Sequence, residues 1–211
     1  MTGSGDAERA YFRLTHAYLD WDLSRPDSLR DRYLGDLAGR LSPADRVVEL
    51  GCGTGELVAT VLAGRTRFAG VDRVAGRLAR ARQAAGGGSF VQADFTRLEL
   101  RPGSLAAVVS LYALIHVPEA ALAPLLHKTA RWLRPDGLFV TALGSGCSAF
   151  GARPPVTVSC LPGKRQLALL EAAGLVVERQ EVSVLGLADD SVEFTWCVAR
   201  RSLATAVHDG D

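Results

Sequence analysis

The spacing of hydrophobic residues is typical of helices in the first part of the chain and of alternating strands and helices after it. From Asp6 to Leu41 apolar and aromatic residues recur at helical spacing, and a break around Ser24–Pro26 divides the stretch into two helices. After Pro43 short β-branched runs alternate with helical segments. The predicted strands are Arg46–Leu50, Arg67–Val71, Ser89–Ala93, Ala106–Leu111 and Leu138–Leu143, and the predicted helices are Thr54–Gly64, Val74–Ala85, Glu119–Leu133 and Gly163–Ala173. This alternation predicts a parallel sheet covered by helices.

The last quarter of the chain has a different pattern. Leu175–Val184 and Ser191–Arg200 are strand-like, and the short Gly-Leu-Ala-Asp-Asp turn between them leaves no room for a helix. They are therefore expected to form an antiparallel hairpin. Residues 144–162 are rich in proline and glycine and have no periodicity, which is typical of a lid or a binding loop.

Composition and charge exclude a disordered chain and give no indication of a nucleic-acid, lipid or metal partner. The chain has 211 residues, of which 48% are hydrophobic and 22% charged, so it can bury a core and is not disordered. Its net charge of +1 is too small to gather nucleic acid or anionic lipid. Four cysteines without metal-ligand spacing predict reduced thiols and no metal site. With neither a membrane span nor an export signal in evidence, we expect a cytoplasmic protein.

The strongest chemical signal is the stretch VVELGCGTG at residues 47–55. A predicted apolar strand runs directly into three alternate glycines, whose backbone can lie against a ligand. A dinucleotide-binding site would need glycine at position 56, where the chain has Glu56. An acid at Glu49, two residues before the first glycine, suits a ligand with an amino-acid moiety and no pyrophosphate. The alternative is an ordinary glycine-rich turn between a strand and a helix. Cys52, inside the loop, is predicted to be a packing residue and not a reactive thiol.

Acidic residues end the next two strands. Asp72 follows Gly51 by 21 residues, close to the spacing at which a carboxylate reaches ribose hydroxyls in this architecture. Asp94 is placed to accept from an adenine amino group, while Phe95 covers the ring. For both acids the alternative role is to cap the helix that follows.

Tyr112 and His116 follow the fourth strand, at the end that faces the ligand crevice of an open α/β sheet. An imidazole with an ordinary pKa of about 6.5 is largely neutral at cellular pH, so His116 can take a proton from a substrate. The alternative is that His116, close to Pro118, has a structural role.

Several segments together resemble class I S-adenosylmethionine-dependent methyltransferases, in particular small bacterial ones with a Y-x-x-x-H-V-P sequence. The resemblance rests on VVELGCGTG, GVD at 70–72, QADF at 92–95, SLYALIHVP at 110–118, LRPDGLFV at 133–140 and VEFTWCVARR at 192–201, with the aromatic positions of residues 11–21 and RPDSLRDRYL at 25–34. It implies a Rossmann-like, doubly wound, seven-stranded sheet. The sheet is mostly parallel, with a C-terminal antiparallel hairpin and added N-terminal helices.

The resemblance also implies a division of the chain and a set of site residues. We predict a single domain over residues 1–211, with a helical lid at 1–42, a cofactor-binding core at 43–143, an acceptor loop at 144–162 and a helix and hairpin at 163–201. The cofactor-binding residues are Tyr18, Glu49, Gly51, Cys52, Gly53, Thr54, Gly55, Asp72, Arg73, Asp94, Phe95 and Leu111. The catalytic residues are His116 and Tyr112, and the substrate-binding residues are Tyr11, Tyr112, His116, Phe150 and Arg153.

The function that follows is transfer of a methyl group from S-adenosylmethionine to O, N or C of a small molecule of bacterial secondary metabolism, with S-adenosylhomocysteine as the product. The alternative is an enzyme of the same fold that catalyses a cyclisation or rearrangement and uses the bound cofactor as charge or scaffold. We expect a monomer or homodimer without nucleic-acid or membrane partners. The loop at 144–162 lacks the acidic, His- or Tyr-containing segment expected of relatives, so the acceptor stays open.

Overall fold

The computed structural model describes residues 28–147, 160–187 and 190–202, and within them seven strands form one sheet. The strands are β1 (Arg46–Leu50), β2 (Arg67–Asp72), β3 (Ser89–Gln92), β4 (Leu105–Leu111), β5 (Leu133–Cys147), β6 (Leu175–Leu187) and β7 (Asp190–Arg201). Their order is β3-β2-β1-β4-β5-β7-β6. The first five strands pair in parallel, and β7 pairs antiparallel with both β5 and β6. The predicted doubly wound sheet with a C-terminal hairpin is confirmed.

Helices cover both faces of this sheet. They are α1 (Leu29–Gly39), α2 (Ala59–Leu62), α3 (Ala75–Ala84), α4 (Glu119–Trp132) and α5 (Gly163–Ala172). Apolar residues of α1, α2 and α3 belong to one buried cluster with the inward positions of the strands, while those of α4 and α5 belong to a second cluster on the other face. Because β1 and β4 lie at the centre, their carboxyl ends form the crevice where the strand order reverses.

Local sequence explains the helix that opens the described chain. The Ser28 hydroxyl accepts a hydrogen bond from the Asp31 amide at 3.2 Å and so caps α1. The Arg179 guanidinium on β6 lies 4.5 Å from the centre of the Tyr33 ring and forms an ion pair with Asp36 at 2.6 Å. These contacts hold α1 against the hairpin, since Tyr33 and Asp36 both belong to that helix.

Three predicted elements have other bounds in the structure. The helix expected at Thr54–Gly64 is reduced to α2, because Gly53 and Gly55 have positive φ angles that a helix does not allow. The fifth strand begins at Leu133, five residues early, since Leu133 pairs with Leu105. It also extends to Cys147, so the first residues of the predicted acceptor loop continue the sheet opposite β7. The hairpin strands are likewise longer than predicted.

Other predictions fall outside the described residues or are corrected. The Asp6–Trp21 helix and residues 148–159 of the acceptor loop lie outside them. Cys160 is disulfide-bonded, so the prediction of reduced thiols is wrong for this residue, whereas Cys52 and Cys197 are free and buried. Among the described helices, none has the length and apolarity needed to cross a membrane.

Gly70 in β2 lies close to side chains of the loop after β1 and of β3. A Cβ atom at Gly70 would lie 2.8 Å from Cys52 Sγ and 2.9 Å from Phe90 Cδ1, so Gly70→Ala is expected to lower the free energy of unfolding by about 1–3 kcal/mol. A Cβ atom at Gly76 in α3 would meet no atom of the described part of the chain within 4 Å, so Gly76→Ala is the control and should raise stability by about 0.5–1 kcal/mol. Urea unfolding measures the free energy of unfolding of both variants. Equal values for Gly70→Ala and Gly76→Ala would contradict the predicted clash at Gly70.

Candidate functional site

The loop after β1 is shaped by three glycines in the left-handed region. Gly51, Gly53 and Gly55 have φ angles of 76°, 54° and 78°. A Cβ atom at Gly51 would lie 2.2 Å from Ala113 Cβ, so only glycine allows the loop to pack against the end of β4. A Cβ atom at Gly53 would meet no atom of the described residues within 4 Å. The loop is therefore packed against the sheet at Gly51, while its backbone at Gly53 is not covered by any described side chain.

Asp72 ties this loop to the start of α3. Its Oδ2 accepts a hydrogen bond from the Gly53 amide at 2.9 Å, and its Oδ1 accepts one from the Val74 amide at 2.8 Å. The side chain is 6% exposed. The contact with Val74 corresponds to the capping alternative, whereas the contact with Gly53 was not predicted. Each carboxylate oxygen retains a second lone pair that a ligand hydroxyl can use.

Glu49 lies at the carboxyl end of β1, next to this loop. Its side chain is 2% exposed, and Oε2 has no hydrogen-bond partner within residues 28–147, 160–187 and 190–202. Burial, and secondarily the charge of Asp72, raise the pKa of Glu49 to about 8. An isolated buried carboxyl group of this kind is costly unless a donor or a cation reaches it.

Cys52 and Thr54 occupy the two positions between the glycines, and both are buried. Burial raises the pKa of the Cys52 thiol, and the charges of Glu49 and Asp72 raise it further. A thiol with a raised pKa is unreactive. Cys52 therefore packs against Gly70 and is not a nucleophile, in agreement with the packing role predicted for it.

Asp94 and Phe95 follow β3 beside the glycine loop. Asp94 Oδ1 accepts hydrogen bonds from the Thr96 hydroxyl at 2.6 Å and from the Thr96 amide at 2.9 Å, and these bonds hold the pKa of Asp94 low. This is the capping geometry of the short 3₁₀ helix Phe95–Arg97. The Phe95 ring is half-buried, and its Cε1 lies 3.6 Å from the place a Cβ of Gly51 would take. The ring therefore borders the glycine loop.

The other two described residues predicted to bind cofactor differ in exposure. Leu111 is 5% exposed in the core at the end of β4, whereas Arg73 is exposed at the end of β2. The Arg73 carbonyl accepts a hydrogen bond from Gln92 Nε2 at 3.1 Å. Tyr18, Tyr11, Phe150 and Arg153 lie outside the described residues.

Tyr112 follows β4 with a φ angle of 62°, which is uncommon for a large side chain and is found most often at functional sites. Its amide donates a hydrogen bond to the Ala142 carbonyl at 3.3 Å. Its ring makes edge contacts with Phe194 and Trp196, with centroids 4.9 Å and 5.5 Å away. The sequence analysis did not predict Phe194 and Trp196 as site residues. The alternation in F-T-W on β7, which places both rings on one face, is the signal that could have found them.

His116 ends the short 3₁₀ helix Leu114–His116. Burial, followed by the charges of Arg77 and Arg73, lowers the pKa of His116 to about 4. The imidazole is therefore neutral across the physiological pH range, and it is a weaker base than the ordinary pKa used in the sequence analysis implies.

The chain matches a family model in sequence over its central part and solved structures in fold over most of its length. Residues 47–137 match the family model of a methyltransferase domain, while no curated protein matches the chain in sequence.

Three solved structures show the same fold at low identity. An S-adenosylmethionine-dependent methyltransferase from Mesorhizobium loti is 22% identical, with a TM-score of 0.65 over 83% of this chain and 99% of that one. Magnesium protoporphyrin IX methyltransferase from Synechocystis PCC 6803 with bound S-adenosylmethionine is 17% identical, with a TM-score of 0.64 over 82% and 78%. The [4+2]-cyclase SpnF is 18% identical, with a TM-score of 0.63 over 82% and 81%.

The site geometry fits the cofactor bound in the Synechocystis structure. Gly53 offers backbone that no described side chain covers, Asp72 offers free lone pairs, and Glu49 offers a buried carboxyl oxygen without a partner among the described residues. Residues 47–137 are therefore similar to a methyltransferase domain, and the described chain shares its fold with solved S-adenosylmethionine-dependent methyltransferases.

Proposed function

We propose that the protein transfers a methyl group from S-adenosylmethionine to an O, N or C atom of a small molecule. The observation that carries the proposal is the buried Glu49 carboxyl group beneath the glycine loop, with one oxygen that lacks a partner in the described part of the chain. An ammonium group such as that of the methionine moiety provides the charge that this oxygen needs. When bound, S-adenosylmethionine supplies an activated methyl group on a sulfonium ion.

The residues proposed to hold the cofactor lie along the carboxyl ends of β1, β2 and β3. Glu49 faces the amino group through water, and the backbone of Gly51–Gly55 supports the methionine moiety. Asp72 accepts from the ribose hydroxyls with its remaining lone pairs, while Asp94 and Phe95 border the adenine. Cys52, Thr54, Arg73 and Leu111 complete this surface, and Tyr18 is proposed to close over it from outside the described residues.

The acceptor side of the site is proposed to lie at the end of β4. Tyr112 presents an aromatic ring there, and His116 accepts the proton that the acceptor atom loses. Because its pKa is lowered to about 4, His116 releases that proton readily to water and does not store it. Tyr11, Phe150 and Arg153 are proposed to contribute from outside the described residues. Alignment of the acceptor and exclusion of water supply the remaining catalysis.

A small molecule suits this site better than a nucleic acid. The net charge of +1 gives no general attraction for a phosphate backbone, and the Tyr112 ring at the proposed acceptor side packs against the buried Phe194 and Trp196 rings. The aromatic lining instead suits an acceptor with apolar surface.

The experiment that tests this function uses S-adenosylmethionine with a deuterated methyl group and a small-molecule extract of the organism that encodes the protein. Incubation with purified protein is expected to give a product whose mass rises by one labelled methyl group. A product with unchanged mass that forms only when cofactor is bound would instead support the cyclisation or rearrangement alternative, which the fold shared with SpnF allows.

Asp72→Ala is expected to weaken S-adenosylhomocysteine binding by about 10- to 150-fold. The variant loses the charge-assisted bonds to the ribose, worth about 1.5–3 kcal/mol, and the support of the loop at Gly53. Calorimetric titration measures the dissociation constant. Glu171→Ala, which removes an exposed acid on α5, is the control and should bind normally. An unchanged constant in Asp72→Ala would contradict the cofactor assignment of this residue.

Glu49 is expected to make the stability of the ligand-free protein depend on pH. The pKa of Glu49 is raised from 4.5 to about 8 on folding, so between these values the folded protein binds a proton that the unfolded chain has released. The free energy of unfolding therefore falls as the pH rises through this window, by up to about 1.4 kcal/mol per pH unit.

Urea unfolding at pH 5, 6, 7 and 8 measures this effect. Glu49→Gln, which cannot ionise, is the matched variant and should gain stability relative to the native protein as the pH rises. Saturating S-adenosylhomocysteine should reduce the difference, because its ammonium group stabilises the Glu49 carboxylate. If the free energies of unfolding of the two proteins changed with pH in the same way, Glu49 would not be a buried, protonated carboxyl group.

His116→Gln is expected to keep the affinity for S-adenosylhomocysteine within about twofold and to lower turnover of the identified acceptor by about 10²-fold. The loss should be smallest at high pH, where the acceptor ionises unaided. Rates at several pH values measure this, with the exposed His127→Gln on α4 as control. Normal turnover in a folded His116→Gln protein would exclude His116 from proton transfer.

A further inference from the structure

Two buried polar groups outside the proposed cofactor contacts lie where β5 meets the first turn of α5. Gln166 is 2% exposed, and its Nε2 donates a hydrogen bond to the Gly144 carbonyl at 2.5 Å. That bond fixes the orientation of the amide, so that Oε1 is the free end. Oε1 and the buried hydroxyl oxygen of Ser145 have no hydrogen-bond partner among the residues described here.

Backbone pairing at the carboxyl end of β5 connects these groups to the proposed acceptor side of the site. Gly144 pairs with Phe194 across the β5–β7 ladder, and the Phe194 ring contacts Tyr112 at 4.9 Å. Gly144 also lies two residues beyond Ala142, whose carbonyl accepts the Tyr112 amide. Ser145 is the extra residue where the β5–β7 register shifts, between Gly144 and Gly146, and such bulges often re-aim a side chain next to an active site.

The chemistry of the two groups restricts what they can bind. An amide oxygen only accepts hydrogen bonds, while a serine hydroxyl both donates and accepts. A carboxylate or phosphate has no proton to give to Gln166 Oε1. A hydroxyl or N–H group satisfies both atoms, and a buried polar group without a partner costs free energy until one arrives.

We propose that Gln166 and Ser145 form a subsite that binds a hydroxyl or N–H group of the methyl acceptor. This inference rests on the proposed function, since it assigns the subsite to the substrate of that reaction. Gln166 acts as a specificity residue: it favours acceptors with a hydrogen-bond donor over the same molecules without one.

The test compares phenol with anisole, which differ by the donated hydrogen and suit the aromatic lining at Tyr112 and Phe194. The full chain, saturated with S-adenosylhomocysteine, is titrated with each probe while the side-chain amide signals of the glutamines are followed by NMR. Phenol is expected to shift the Gln166 signal and to bind about fivefold tighter than anisole. Equal binding of the two probes, or no shift at Gln166 with either, would overturn the proposal.

Three variants connect the preference to the subsite. Gln166→Met keeps the length of the side chain and should abolish the preference for phenol. Ser145→Ala removes only the hydroxyl, preserves the Gln166–Gly144 bond, and should reduce the preference even if Gln166→Met does not fold. Gln180→Met, which removes an exposed amide on β6, is the matched control and should retain it.

A crystal structure with phenol gives a second readout. The proposal expects the phenol hydroxyl within hydrogen-bond distance of Gln166 Oε1. A tightly bound water that bridges Oε1 and Ser145 Oγ and stays in place with phenol present would overturn the subsite. Failure of the proposed function would appear separately, as loss of cofactor binding by calorimetry or of labelled methyl product, because phenol binding requires no methyl transfer.

Discussion

The Asp72 carboxylate is the contact on which the geometry of the site depends. It accepts the Gly53 amide with one oxygen and the Val74 amide with the other, and so joins the glycine loop after β1 to the start of α3 after β2. The loop has left-handed φ angles at Gly51, Gly53 and Gly55. The charge-assisted hydrogen bonds to this buried acid therefore hold the loop backbone in place before a ligand binds. Without them, ordering the loop would use part of the free energy of ligand binding.

The carboxyl edge of the sheet collects the polar groups that the core cannot satisfy. Glu49 at the end of β1, Ser145 near the end of β5 and Gln166 in the first turn of α5 each have a buried polar atom that lacks a partner in the described chain. The two apolar clusters on the sheet faces account for most of the other buried side chains. Buried polar groups without hydrogen-bond partners are rare in proteins, because they lower the stability of the fold. Their presence along one edge of the sheet is typical of a binding site.

At the same edge, one residue has an unusual φ angle and another has an unusual pKa. Tyr112 has a φ angle of 62° and turns its ring onto Phe194 and Trp196. His116, four residues later, is kept neutral by burial and by two nearby arginines. A strained aromatic residue and a neutral imidazole at one strand end provide an apolar surface next to a proton acceptor.

The sequence by itself determined the order of the elements, the parallel sheet with its antiparallel hairpin, and the glycine loop with its following acids. These features depend on local periodicity and on motifs of a few residues, which can be recognised without the fold. Only the tertiary structure decided the short α2, the second role of Asp72 at Gly53, the lowered pKa of His116 and the meeting of Gln166 with Gly144. Each of these depends on backbone angles, on burial or on contacts between residues that are distant in sequence. A sequence pattern does not show how far apart two strands lie or which side chains lose contact with water.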